Sequence, residues 1–190
     1  TLCSEAFEAT NSGLQIADNA IAAQLLERIV AGAEKLKAKN VISPECGHAY
    51  SAIRWAGPNF LGKSYSFGVI HILALLDELQ RSGRLQTSGK DTERLTFHDP
   101  CRIVRRGGVE AQPRRLLNAI ADDFVEMSEH GNMNWCCGGG GGVSANERAE
   151  SLRLKVFDRK KAQLDELHDE KIVTASSICR LLMEDGVQEN

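Results

Sequence analysis

Six cysteines are spread through the 190 residues, at Cys3, Cys46, Cys101, Cys136, Cys137 and Cys179. A chain of this length can bury about 70% of the surface it exposes when unfolded, so it needs no disulfide scaffold. Adjacent cysteines also make poor structural bridges, so the Cys136-Cys137 pair points to a soft metal or to redox work. Five glycines, Gly138 to Gly142, follow that pair. Without side chains, the backbone there can approach a bulky inorganic group and turn N–H donors towards its negative charge. Such donors around sulfur tune a reduction potential. Four thiolates, from Cys101, Cys136, Cys137 and Cys179, suffice for one metal centre. Cys3 or Cys46 taken alone reads equally well as a small buried hydrophobe.

These residues can cooperate only if the fold gathers them. Ile21, Ala22, Leu25, Leu26, Ile29, Val30 and Ala33 recur at intervals of one and three, predicting an amphipathic helix within Leu14 to Asn40. A short strand at Val41-Ile42 follows, with Ser43 as N-cap and Pro44 as first residue of the next helix. Phe67 to Ile72 reads as strand running into a helix that ends at Gly83, and Gln86 to Glu93 as a surface loop. Arg94 to His98 is then a strand, with Asp99 a cap and Pro100 at the first helical position, so that Cys101 falls in a first helical turn. A helix over Ala111 to Ala121 and a strand over Asp123 to Met127 lead to the cysteine pair. Ser144 and Glu147 have the spacing of a capping box for a long helix to about His168. Lys171 to Ala175 is the last strand, and Cys179 falls in the first turn of the closing helix. Alternating helices and strands predict an α/β architecture with largely parallel sheets. Helix starts after parallel strands gather at one sheet edge, where unpaired N–H groups favour thiolates at Cys101 and Cys179.

The same interval separates Cys3 from Cys46 and Cys136 from Cys179. Each encloses a small-residue loop, a long helix, a strand and a Ser-x-x-Cys helix start, which predicts a duplicated unit. The expectation is two pseudo-repeated Rossmann-like units: residues 1–85 as the end of a degenerate first copy, and 94–190 as a second copy carrying the site. The first copy's counterpart of Cys101 would lie before residue 1, so the first copy reads as truncated at its N-terminus.

His98-Asp99-Pro100-Cys101, Cys136-Cys137-Gly138 and the final x-x-Cys179 resemble the cysteine-rich CCG domain of iron–sulfur oxidoreductases. That group includes the B and D subunits of heterodisulfide reductase, the iron–sulfur subunit of glycolate oxidase, and the K subunit of the membrane complex associated with sulfite reduction. The K-type members, with divergent first copies, are the most alike. The resemblance implies an electron-transfer subunit acting on a thiol, a disulfide or a partner protein through a noncubane or other [4Fe-4S] cluster. It implies ligation by Cys101, Cys136, Cys137 and Cys179, with Gly138 and Gly139 against the cofactor. It also implies other subunits of a redox complex as partners, and a cytoplasmic location, free or peripheral at the membrane through those subunits. Copies in the family end in Cys-x-x-Cys, where this chain has Ser176 and Ser43. Serine is a poor substitute for thiolate on iron. With only Cys3 and Cys46 the first copy is expected to hold no cluster, leaving one in all.

Other readings compete with this one. Four cysteines also satisfy tetrahedral zinc, in a zinc-binding or metal-free structural domain that mediates subunit assembly. A metal-free thiol enzyme would use Cys101 or the cysteine pair in exchange. A phosphate cradle is disfavoured, because the glycine run lacks a Gly-Lys-Ser/Thr ending. With 23 Lys and Arg against 26 Asp and Glu, a nucleic-acid groove is not expected. No apolar run is long enough to span a bilayer, and no export signal opens the chain. His98 reads as a catalytic or sulfur-binding residue, or as a packed strand-end histidine. His48 and Arg54 read as lining a cleft between copies or as solvated, and Trp135 as lid or core. Arg102, Arg105 and Arg106 form a basic patch. Lys160-Lys161 and Asp165-Glu166 read as the solvated face of their helix.

Overall fold

The first amphipathic stripe folds as predicted because its start is capped. In the computed structural model, which describes residues 14–168 and 171–189, helix α1 spans Asn19–Lys35. The Asp18 carboxylate accepts from the N–H groups of Ala20 and Ile21, both at 3.0 Å, satisfying donors that a helix start leaves free. The stripe buries Ala22, Leu26, Val30 and Ala33. Strand β1 (Asn40–Ser43) follows, then α2 (Gly47–Ser51), a π-helical turn (Ala52–Ala56) and α3 (Gly57–Leu61). Strand β2 (Gly68–His71) pairs with β1 in parallel, and Val41, Phe67 and Val69 pack on Val30 and Ala33.

Here the predicted cap is corrected. The ladder to β2 runs through Ser43, opposite His71, so Ser43 belongs to the strand and the helix begins later. Cys46 is its N-cap, with Sγ 3.5 Å from the N–H of Ala49.

The chain divides into two compact units between Ile72 and Leu73. Helix α4 (Ile72–Arg81) leads into the second, which holds β3 (Asp91–His98), α5 (Ala111–Ile120), β4 (Ala121–Val125), α6 (Glu150–Leu167), β5 (Lys171–Thr174) and α7 (Ser177–Glu189). Its three strands are parallel in the order β4-β3-β5. Strand β3 starts earlier than predicted, at Asp91, because the ladder reaches Ala121 and Lys171 draws in both Asp91 and Glu93. An irregularity in register between Asp91 and Arg94 absorbs the extension.

Successive residues of a strand face opposite sides, and β3 uses both. Leu95 and Phe97 join Leu117 of α5 and Ala121 in one core. Thr96 and His98, both buried, take the other side, where Phe157 of α6 packs with Leu182 and Met183 of α7. Crossovers between parallel strands are right-handed. With α5 on one face and α6 on the other, the chain therefore leaves β3 in one direction for β4 and returns past it to β5. Between β3 and β5 this makes a topological switch point, and a crevice opens at their carboxyl ends.

Two more expectations are corrected in this unit. Residues 101–107 form a series of turns rather than the start of a helix, and α5 begins only at Ala111. The Asp99 carboxylate caps nothing there, because Arg114 and the N–H of Gly131 occupy it. Helix α6 begins at Glu150 instead of at Ser144: two 3-10 turns precede it, and Asn146 caps the second through the N–H of Arg148, 3.1 Å away.

Candidate functional site

Cys101 follows β3 and Cys179 lies in the first turn of α7 after β5, so both sit at the switch point. The loop from Asn134 to Gly142 brings Cys136 and Cys137 to the same place. Cys137 Sγ lies 3.3 Å from Cys179 Sγ. Cys136 is hydrogen-bonded to both Cys101 and Cys137, so the four sulfurs form one unbroken chain. The neighbouring thiols hold Cys136 towards the thiolate, aided by the N–H of Gly138 at 3.4 Å. Cys137, with His98 and Ser176, brings Cys179 down to about 5 against the opposing effect of burial. Cys101 beside Cys136, and Cys137 beside Cys136 and Cys179, are pushed up, and burial adds to the shift.

His98 is 1% exposed and hydrogen-bonds Cys179, while its Nδ1 has no partner. One ligand atom from each of His98, Cys137 and Cys179 lies within 4.8 Å of the others. Gly138 has a φ of +91°, which favours glycine, and a Cβ there would meet Arg153 O at 3.1 Å. A Cβ on Gly139 would come within 2.7 Å of Leu182 Cγ. These two glycines therefore seat the cysteine loop against α6 and α7. The donor set is soft and sulfur-rich, which fits iron or zinc and not magnesium or calcium.

Cys46 is half-buried at the start of α2, and Cys3 lies outside the described residues. Arg54 lies against the rings of Tyr50 and Trp55 and donates to Val69 O at 3.2 Å, so it braces the first unit. Trp135 donates to Val156 O at 2.8 Å under the guanidinium of Arg159, which pins the cysteine loop to α6. Arg105 is turned inward onto Asn132 and Asn134.

Two features of the site lay beyond the sequence reading. Arg114 bridges the buried Asp99 carboxylate, at 2.8 Å on both oxygens, to Glu126, with Nε 2.6 Å from Oε1. Asn134 donates to Asp99 O at 2.6 Å. The loop before Cys101 and the loop before Cys136 are thereby locked together. Asp99 next to a buried strand end was the one signal available. The second feature corrects an expectation: Lys160 is wholly buried, not solvated. Its partners Met127 and Gln163 lie too far from the motif to have been linked to it.

Residues 95–184 match the model of the CCG cysteine-rich domain. The chain is 30% identical over 167 residues to the D subunit of the dihydromethanophenazine:CoB–CoM heterodisulfide reductase of Methanosarcina barkeri, covering 87% of this chain and 40% of that protein. It is 31% identical over 177 residues to the Hdr-like menaquinol oxidoreductase iron–sulfur subunit of Archaeoglobus profundus, covering 74% of this chain and 32% of the relative. The B subunit of the fumarate reductase (CoM/CoB) of Methanothermobacter marburgensis is 39% identical over 99 residues, covering 50% and 19%. Residues 95–184 belong to the CCG cysteine-rich family, and the chain is homologous to the D subunits of heterodisulfide reductases and to related iron–sulfur oxidoreductases. It spans 40% of the length of the first of these relatives. Family and site together support an iron–sulfur cofactor and electron transfer. Among the described residues no helix is long and apolar enough to cross a membrane.

Proposed function

We propose that Cys101, Cys136, Cys137 and Cys179 ligate one [4Fe-4S] centre, and that the chain is an electron-transferring part of an oxidoreductase complex working on a thiol, a disulfide or a redox partner protein. The observation that carries this reading is the unbroken chain of four sulfurs at the switch point between β3 and β5. When bound, such a centre would take up and release single electrons. The chain's own residues would hold it: four thiolates as ligands, the Gly138 N–H on Cys136, and His98 and Ser176 as hydrogen-bond partners of Cys179. With its imidazole buried, we assign His98 to the Cys179 sulfur and not to direct contact with substrate. The relatives named as subunits support partner chains of the same kind here. The first unit, with Cys46 as a helix cap, would hold no cluster.

Anaerobic reconstitution followed by iron and sulfide analysis tests the reading. About four irons per chain are expected, with loss of the centre in Cys137→Ala; a value near zero or near eight would overturn it. The close grouping of His98 with Cys137 and Cys179 favours a second reading, a zinc site of mixed nitrogen and sulfur ligands. That alternative predicts a colourless protein with zinc and no iron after anaerobic purification, whereas the cluster makes it brown.

A further inference from the structure

Lys160 is a charged side chain in a place that strongly disfavours charge. On α6 it lies one turn beyond Val156, which packs under Gly138, and Phe157, which joins Cys137 and Cys179 in the core. It is 0% exposed. Its ammonium donates to Gln163 Oε1 at 2.7 Å and to Met127 Sδ at 3.4 Å, and both acceptors are neutral. Isolated ammonium groups are expelled from protein interiors or give up their proton. Burial accordingly lowers this one to about 8, while Glu129, Asp99, Cys136 and Cys137 pull the other way.

Of those four groups, Asp99 is bidentate with Arg114, and Glu129 is paired with Arg159. Both carboxylates are thus engaged by arginines, although Arg114 is shared with Glu126. The sulfurs of Cys136 and Cys137 add to the negative field at the ammonium. A centre held by four thiolates is anionic and becomes more so with each electron it accepts. A fixed positive charge in the same low-dielectric core stabilises the reduced form more than the oxidised one.

We propose that Lys160 is the buried counter-charge of the cysteine-ligated centre and raises its reduction potential. The proposal rests on the cluster reading above. It assigns Lys160 a tuning role, since the residue touches neither ligand nor substrate.

The test is a redox titration of the reconstituted chain, monitored by EPR, for wild type, Lys160→Met and Lys160→Gln. Lys155→Met serves as the control, because Lys155 is exposed on the same helix and its charge is screened. Both neutral variants should keep wild-type iron and become harder to reduce by at least tenfold in the reduced-to-oxidised ratio at fixed potential, about 59 mV for one electron. Lys155→Met should titrate like wild type. In the metal-free state Lys160→Met should be at least as stable as wild type to urea, because burying the ammonium then costs more than its bonds to neutral Gln163 and Met127 and the pull of the nearby charges return. Wild-type iron with an unchanged potential overturns the assignment. So does a metal-free Lys160→Met that is clearly destabilised, for then the lysine serves as a structural donor to Gln163. A wild type that takes up no iron at all defeats the cluster reading first, and this inference with it.

Discussion

At Gly139 the site depends on a missing atom. A methyl group there would press into Leu182 of α7, the residue that backs Cys137. Gly139→Ala is expected to cost about 1–3 kcal/mol of stability, read from urea midpoints. Leu182→Ala in the same chain should return part of that loss, and a double-mutant cycle with no coupling would refute the packing account. The cysteine pair, its glycines and the strand-end His98 were legible as a site because sulfur and glycine runs are rare and their chemistry is narrow. Lys160 was not, since its burial depends on Met127 meeting it across the fold, with Gln163 one turn along the same helix. A lysine beside another on a polar helix gives no local sign of facing inward.

Elements are held at the site by ion pairs that sequence spacing does not reveal. The Asp99–Arg114–Glu126 bridge ties the end of β3 to α5 and to the segment after β4, and Gly131 and Asn134 join it from the cysteine loop. Removing one partner leaves a buried charge, so Arg114→Met should destabilise the protein by roughly 3–5 kcal/mol and loosen Cys136 from Cys101. Its check is urea denaturation together with the rate at which the two thiols react with a probe. A second clamp joins α4 to α5, where Asp77 accepts two bonds of 2.6 Å from Arg115. Hydrogen bonding to Arg115 holds the Asp77 carboxyl below the ordinary carboxylate range, against the effect of burial. The native state therefore binds that proton more weakly than the unfolded chain. The clamp's contribution is whole above about pH 4 and is lost as pH falls through the depressed value. The stability gap between wild type and Asp77→Asn should accordingly narrow on acidification from about pH 5 to pH 2. Periodicity revealed which elements exist, but their starts shifted at Ser43, Asp99 and Ser144. At Ser43 a strand ladder and at Asp99 a distant arginine displaced the local cap, and at Ser144 two 3-10 turns came before the helix.

On the scale of the whole chain, the two units hold separate cores, one around Val30 and Phe67 and the others around β3. Heat or urea should therefore unfold the protein in two steps, and iron should stabilise only the later unit. A single transition shifted as one body by iron would contradict this. The alternation of helix and strand was enough to foresee parallel α/β units. Which strand lies in the middle was not foreseeable, because neighbours in a sheet are chosen by crossover direction and not by sequence order. That central strand, β3, sends Leu95 and Phe97 to one side and His98 to the other. Adding or deleting one residue between Leu95 and His98 would swap the two sides, putting imidazole into oil and a phenyl ring among the sulfurs. Length changes should thus be tolerated near the irregular stretch from Asp91 to Arg94 and be lethal to metal uptake a few positions later. Scanning single-residue insertions along the strand would draw that boundary.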